Sequence, residues 1–123
     1  MKETLNSGLP LSQQISQNIE DMIVDGTLAP GDQIPSSTQM VKFYRVNHIT
    51  VLKGVNMLAD EGLIFKKRGV GMFVSDHARE ILVNRRRKML SEHYIAPLVR
   101  EAEKLGISMH ELIGMIKEEH HAN

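Results

Sequence analysis

The sequence predicts a mainly α-helical fold that contains one small β-hairpin. Apolar residues recur at helical spacing in six segments, and the second and third of these are short and adjacent in the chain. Directly after them, residues 66–71 combine three consecutive basic residues with two glycines, between two short apolar runs. Such a stretch is typical of a tight hairpin. Helix, helix and hairpin therefore follow one another within Pro35–Ser75, and three more helical patterns come after them.

Composition excludes several classes of protein. The chain has 123 residues, of which 41% are hydrophobic and 24% charged, as in an ordinary soluble domain with an appendage. Its apolar runs are far shorter than the roughly 20 residues of a membrane span. The N-terminus lacks an apolar signal core, and the absence of cysteine excludes disulfides and thiolate metal sites. We therefore expect a cytoplasmic protein with no membrane segment.

The first helix is predicted at about residues 10–25, after an irregular arm formed by residues 1–9. Pro10 lies near its start and Gly26 provides a stop at its end. One face is apolar, which indicates a scaffold role in the core. The apolar positions are Leu11, Ile15, Ile19, Met22 and Ile23.

A turn and a second helix come next. Pro30-Gly31 favours a turn within residues 28–32, because proline fixes φ and glycine permits a positive φ. Residues 33–34 then add a short strand. Ser36, with Gln39 three residues later, forms a capping box that begins a helix at about 36–44.

The third helix begins after Asn47, an N-cap residue, and Val46 with Val51 forms a hydrophobic staple. Gly54 lowers the stability of a helix interior by about 1 kcal/mol relative to alanine, and we interpret it as a close approach to the second helix. The face expected in the core consists of Val51, Val55, Leu58 and Ala59. The face expected to contact something other than water consists of His48, Ile49, Leu52, Lys53 and Asn56, although Leu52 also fits the core.

The hairpin is predicted from strands at 63–65 and 72–74 with a tip at 66–71. A basic, glycine-containing tip is either a solvated turn or a site that approaches phosphate, since glycine admits backbone contact and basic side chains release counterions. Residues 35–75 carry six basic and two acidic residues, a net charge of +4 in a chain whose total is zero. This position after two short helices favours the phosphate interpretation. Residues 9–76 are therefore predicted to form a winged helix-turn-helix DNA-binding domain.

Residues 77–123 are predicted to form a short helical dimerisation region. Helices are expected at about 77–93, around Pro97 to Gly106, and at 109–120, the last one capped by Ser108 with Glu111. Pro97 suits either the first turn of the second of these helices or a kink. These helices bury too little by themselves, and exposed apolar stripes usually mark an interface, so we expect a homodimer. The predicted interface residues are Ile81, Leu82, Met89, Ile95, Leu98, Val99, Leu112, Ile113 and Ile116.

Two polar features of this region leave alternatives open. The run 85–88 (Arg-Arg-Arg-Lys) is either a solvated helix face, with acidic partners on neighbouring helices, or a contact to the DNA backbone, and the first interpretation is favoured. His110, Glu119, His120 and His121 invite a metal-site hypothesis, but the last two histidines lie at a fraying terminus. We therefore predict no metal site and no cofactor.

Residues 9–74 resemble the DNA-binding domain of GntR-family bacterial transcriptional regulators. The signs are Pro-Leu-x-Gln-Gln-Ile, Leu-x-Pro-Gly-Asp-x-Ile-Pro-Ser, Val-Asn-x-x-Thr-Val, Glu-Gly-Leu-Ile and Arg-Gly-x-Gly-x-Phe-Val, in this order. The short C-terminal part, with Tyr94-x-x-Pro97-Leu98 and Leu-Gly-Ile-Ser at 105–108, resembles the YtrA-like subfamily. Resemblance therefore covers nearly the whole chain.

The resemblance implies DNA contacts from the start of the second helix, the N-terminal part of the third, and the wing. Carried over by position, these are Ser36, Ser37, Thr38, Asn47, His48, Ile49, Thr50, Leu52, Lys53, Lys67, Arg68 and Gly69. Many family members have arginine at the positions of Thr38 and Leu52, and His48 stands where proline or arginine is common. The operator of this protein is therefore expected to differ from the usual one.

The predicted function is a sequence-specific repressor that binds a palindromic operator in double-stranded DNA as a homodimer. Control of a transporter operon is implied by the resemblance alone. An effector pocket, if one exists, would lie between helices or at the dimer interface. A protein-interaction winged helix and a small metal- or ligand-responsive sensor remain the alternatives. An enzyme is not expected, because the serine, aspartate and histidine residues show no catalytic spacing.

Overall fold

Three helices and a hairpin form the first half of the chain in a computed structural model that describes residues 8–122. The helices are α1 (Leu11–Val24), α2 (Ser37–Tyr44) and α3 (His48–Asp60), and the strands are β1 (Ile64–Lys67) and β2 (Gly71–Val74). The mainly helical prediction with one hairpin is confirmed. The predicted arm at 1–9 lies outside the described residues except for its last two positions.

A single apolar core joins these elements. Its largest side chains come from every element of the domain: Ile15, Ile19, Ile23, Met40, Val51, Leu58, Leu63, Ile64, Val74 and Leu82. Leu11 does not belong to the core, contrary to the prediction, and is 44% exposed. The reason is that α1 turns its small buried residues Ser12 and Ser16 inward at this end, which leaves Leu11 at the surface.

The close approach at Gly54 involves α1 and not α2, so the sequence interpretation of its partner is wrong. A methyl group at position 54 would lie 2.6 Å from the backbone oxygen of Ser12 and 3.4 Å from the side chain of Ile15. Serine at position 12 and glycine at position 54 are both small, and together they let the two helix backbones approach. This crossing fixes the position of α3 against the scaffold helix.

The hairpin is tighter than predicted. Its antiparallel register pairs Ile64 with Val74 and Lys67 with Gly71, so the tip consists only of residues 68–70. Lys66 and Lys67 therefore belong to β1 and not to the turn. The predicted strand at 33–34 is a single bridge from Gln33 to Phe73.

The second half of the chain is helical throughout. α4 (Ala78–Leu90) leads into a π-helical turn, Ser91–Ile95, and then into α5 (Ala96–Lys104) and α6 (Met109–Ala122). Pro97 lies in the first turn of α5, as predicted, although the π-helical turn joins α4 to α5 without a loop. Proline has no N–H and clashes with the carbonyl group four residues earlier, and the wider π-turn relieves that conflict without ending the helix. Within this turn the amide of Ala96 donates to the oxygen of Ser91.

The chain divides into two compact units between residues 84 and 85, inside α4. The first turns of α4 belong to the first unit, where Ala78 and Leu82 are buried in the core and Arg79 Nε donates to the Val24 carbonyl oxygen at 3.0 Å. The predicted domain boundary, between residues 76 and 77, lies just before the start of this helix. No helix of residues 8–122 is both long and apolar enough to cross a membrane.

Polar groups of the second unit lie at its surface. Residues 85–88 are all exposed, and Lys88 Nζ lies 3.9 Å from a carboxylate oxygen of Glu92, one helical turn away. The rings of His120 and His121 lie 5.8 Å apart near the exposed end of α6. Among the residues that the structure describes, no three histidine, aspartate or glutamate side chains converge as metal ligands.

Candidate nucleic-acid interface

The N-terminus of α2 is fixed by the capping box that the sequence predicts. Ser36 Oγ accepts from the amide of Gln39 at 3.1 Å, and Gln39 Oε1 accepts from the amide of Ser36 at 2.9 Å. The first-turn amides of Ser37 and Thr38 point out of the helix end, as in any α-helix. Such an end attracts anions, because its amide dipoles present partial positive charge.

α3 begins at a second cap and presents to solvent a stripe that contains both polar and aliphatic side chains. Asn47 Oδ1 accepts from the amide of Thr50 at 2.7 Å, which sets the first turn. Val51, Val55 and Leu58 turn into the core. The side chains on the opposite side are exposed, including Ile49 at 77% and Leu52 at 38%. Leu52 therefore lies on the outer face and not in the core.

The wing carries its charge on a short, aromatic-backed hairpin. Lys67 Nζ lies 4.4 Å from the ring centroid of Phe73 and 5.9 Å from that of Phe65, which is cation–π distance. These contacts restrict where the Lys67 ammonium group can go. Arg68 and Gly69 follow in the three-residue tip, where Gly69 has φ +76°. Glycine is the residue that adopts this left-handed conformation with least strain.

A side chain from outside the hairpin holds the wing in place. Gln33 Nε2 donates to the carbonyl oxygen of Val70 at 2.9 Å, across 37 residues of sequence. A methyl group at position 71 would collide with that amide group, so glycine at this position makes room for the contact. The amide of Ile34 also donates to the oxygen of Met72 at 2.9 Å. The segment that leads into α2 therefore determines the position of the wing.

The N-terminus of α2 and the wing lie side by side. One depression is lined by Ser36 and Ser37 from the start of α2 and by residues 70–72 of the wing. Every residue that sequence reasoning assigned to DNA contact is exposed or partly exposed at the surface of the first unit. The arrangement therefore presents two groups suited to phosphate, at the helix end and the wing, together with an outward-facing helix.

Sequence reasoning missed two residues that shape this region. Gln33 contacts the wing over a long sequence separation, and only Gly71 hints at the space it needs. Tyr44 is buried, its hydroxyl oxygen accepts from Asn18 Nδ2 at 3.3 Å, and its burial raises the pKa of the phenol. It ties the end of α2 to α1, just before the turn to α3. Aromatic character alone did not indicate which helix it contacts.

Two short capped helices followed by a basic hairpin define the class of winged helix-turn-helix DNA-binding regulators. Residues 11–74 match the family model described as "Bacterial regulatory proteins, gntR family". Because this match covers more than half of the chain, the chain belongs to the GntR family.

Similarity to known proteins extends beyond the DNA-binding domain. The chain is 31% identical over 112 residues to the HTH-type transcriptional repressor YtrA of Bacillus subtilis, a match that covers 91% of this chain and 85% of that protein. A GntR-family transcriptional regulator from Listeria monocytogenes superposes with a TM-score of 0.78 at 28% identity, covering 93% of this chain and 98% of that one.

The similarity also reaches a structure solved with DNA. The AraR DNA-binding domain in complex with operator ORE1 superposes with a TM-score of 0.54 at 27% identity, covering 61% of this chain and 94% of that one. The sequence-based assignment to a GntR-type DNA-binding regulator is therefore confirmed.

Proposed function

We propose that this regulator is a repressor that binds a palindromic operator as a homodimer. The observation that carries the proposal is the outward face of α3, where amide, ammonium and aliphatic groups lie on the side away from the core. A helix of this kind fits the major groove, where base edges present donors, acceptors and methyl groups. The similarity to YtrA, a transcriptional repressor by name, supports repression as the outcome. Such a protein acts where bacterial DNA is, in the cytoplasm.

The proposed contacts divide into two kinds. Groups at the start of α2 and on the wing would position the domain on phosphates, while α3 would read bases. The phosphate set is Ser36, Ser37, Thr38, Lys67, Arg68 and Gly69, and the α3 set is Asn47, His48, Ile49, Thr50, Leu52 and Lys53. A threonine hydroxyl at position 38 and an aliphatic side chain at position 52 replace the arginines that many family members carry there. Lys53 is then the cation of α3 best placed to reach a base.

Dimerisation is proposed from the apolar surface that one copy leaves exposed. Several of the predicted interface residues are large, apolar and at least 40% exposed: Ile81, Met89, Ile95, Leu98, Ile113 and Ile116. Exposed apolar patches of this kind favour association with a second copy. Val99 is half-buried, whereas Leu82 and Leu112 are buried within their own chain. Those two leucines therefore stabilise the single chain, and the proposed interface does not include them.

DNA binding is tested by fluorescence anisotropy on an operator located by footprinting of the upstream DNA. Lys53→Ala is expected to weaken binding to the operator more than binding to unrelated DNA. Arg68→Ala is expected to weaken both, and to reduce the slope of log affinity against log salt by about 2, one phosphate contact per copy of a dimer. Lys117→Ala, which removes a charge from the exposed surface of α6, serves as the matched control.

Unchanged affinity in both Lys53→Ala and Arg68→Ala would contradict the proposed interface. An equal loss in Lys117→Ala would show that the effect is one of overall charge.

Dimerisation is tested by analytical ultracentrifugation at micromolar concentration. Ile116→Glu is expected to shift the protein towards monomer, because it places a charge on the proposed apolar interface. Lys117→Glu introduces the same residue at the neighbouring position, which is already charged, and is expected to leave the dimer intact. A monomeric parent protein would refute the dimer.

A further inference from the structure

Four exposed residues of α3 lie on one stripe at helical spacing. Ile49, Leu52, Lys53 and Asn56 are separated by three, one and three positions, which places them on one side of the helix. Together with Met57 and Asp60 they line a single shallow depression. The residues that turn into the core, Val51 among them, lie on other faces. The stripe is therefore one continuous surface, half aliphatic and half polar.

The aliphatic half of the stripe can bind only an apolar group. Ile49 and Leu52 can neither donate nor accept a hydrogen bond, so they cannot read the oxygen, nitrogen or amino groups of base edges. The apolar group that base pairs present in the major groove is the 5-methyl group of thymine. A branched aliphatic side chain in contact with that methyl removes apolar surface from water on both sides.

We propose that Ile49 and Leu52 read thymine 5-methyl groups in each operator half-site, next to bases that Lys53 and Asn56 contact by hydrogen bonding. This inference rests on the proposed function, since it takes α3 as the helix in the major groove. Lysine pairs with guanine N7 and O6, and asparagine with adenine N6 and N7. The stripe therefore matches a half-site that contains thymine beside a guanine or an adenine.

A protein partner fits this surface less well than DNA. A specific protein–protein interface takes roughly 800 Å² from each partner, far more than two aliphatic side chains provide. The same segment, residues 35–75, carries six basic residues against two acidic ones. These six include two residues of the wing: Lys67, whose ammonium group lies over the ring of Phe73, and Arg68. An apolar strip within a segment of net positive charge suits a polyanion that displays methyl groups.

The test replaces thymine by deoxyuridine, one position at a time, in the footprinted operator. Deoxyuridine keeps the base pairing and the hydrogen-bonding groups of thymine and lacks only the methyl group. Anisotropy titrations are expected to show about a fourfold loss of affinity for each methyl that is read, the value for burying one such group. Ile49→Ala is expected to bind the thymine operator more weakly and to lose discrimination between thymine and deoxyuridine at one position.

The control is Leu11→Ala, which shortens an aliphatic side chain that lies on α1 and is 44% exposed, close to the 38% of Leu52. It is expected to discriminate thymine from deoxyuridine as the parent does. Because Ile49 is 77% exposed, its truncation leaves the core intact, and a thermal melt verifies this.

Three outcomes distinguish a failure of methyl readout from a failure of the proposed DNA binding. Equal affinity for every deoxyuridine operator, with preference for the operator retained, would overturn methyl readout and leave the DNA-binding proposal standing. Discrimination that persists in both Ile49→Ala and Leu52→Ala would overturn the assignment to these side chains. If the parent protein bound the operator no more tightly than unrelated DNA, both proposals would be overturned.

Discussion

Gly54→Ala perturbs the crossing between α1 and α3. The added methyl group would lie 2.6 Å from the Ser12 carbonyl oxygen, a backbone atom that moves only if the helices move. Overpacking of this kind destabilises by about 1–3 kcal/mol. Alanine gains about 1 kcal/mol over glycine in a helix interior, which offsets part of this loss. We expect a net loss of about 1 kcal/mol and a melting temperature lower by about 4 °C.

Gly114→Ala is the matched control, because Gly114 lies inside α6 and a methyl group there meets no atom of the described residues within 4 Å. Only the helix-propensity gain applies, so we expect stabilisation of about 1 kcal/mol. Both variants replace glycine by alanine, and their melting temperatures should shift in opposite directions.

Thermal denaturation followed by circular dichroism measures both variants, at one protein concentration because association would make stability concentration-dependent. A melting temperature that rises by the same amount in both variants would refute the argument from the crossing. Gly54→Val extends the series, since a larger side chain must separate the helices further and destabilise more. Operator affinity measured at 10 °C should fall in Gly54→Ala as well, because the crossing positions α3.

Three further predictions concern single residues. Arg45 has φ +56°, so Arg45→Gly should stabilise the fold by up to about 1 kcal/mol in urea denaturation, and no change would mean that the left-handed turn carries no strain. Gln33→Ala should lower operator affinity several-fold with little change in melting temperature, because it releases the wing tip; a loss of stability alone would contradict a positioning role. Burial raises the pKa of Tyr44, so the neutral phenol is favoured in the folded state. The stability it contributes is complete below about pH 10, the ordinary tyrosine value, and is lost above it. Tyr44→Phe should therefore weaken the fall in stability above that pH, and an identical alkaline profile would refute the assignment.

Local signals in the sequence predicted where the elements begin. The caps at Ser36 and Asn47 depend on side chains three residues from their partners, and both hydrogen-bond as expected. Apolar periodicity also predicted the outward face of α3, since the buried face fixes the opposite one. The candidate interface could be located for this reason.

Contacts between distant residues could not be predicted in the same way. Periodicity shows that a face is buried but not which helix covers it, so it does not identify α1 as the neighbour of Gly54. Strand register depends on backbone pairing, so Lys66 and Lys67 were placed in the tip although they belong to β1. The hydrogen bond from Gln33 to Val70 joins residues 37 positions apart and leaves no periodic trace. Leu82 follows the wing in sequence, yet it is buried in the core of the first unit.

The zero net charge of the chain bears on how an operator would be recognised. The wing offers Lys67 and Arg68 as phosphate contacts, which amounts to about four in a dimer and a slope of roughly −4 in log affinity against log salt. This electrostatic term is small for a DNA-binding protein, and it contributes equally to specific and unrelated sequences. Positions 38 and 52 carry uncharged residues, Thr38 and Leu52, so the electrostatic term is smaller than in family members with arginine there. Discrimination must then come mainly from base contacts along α3, where a methyl group read by Ile49 adds affinity only at the correct sequence.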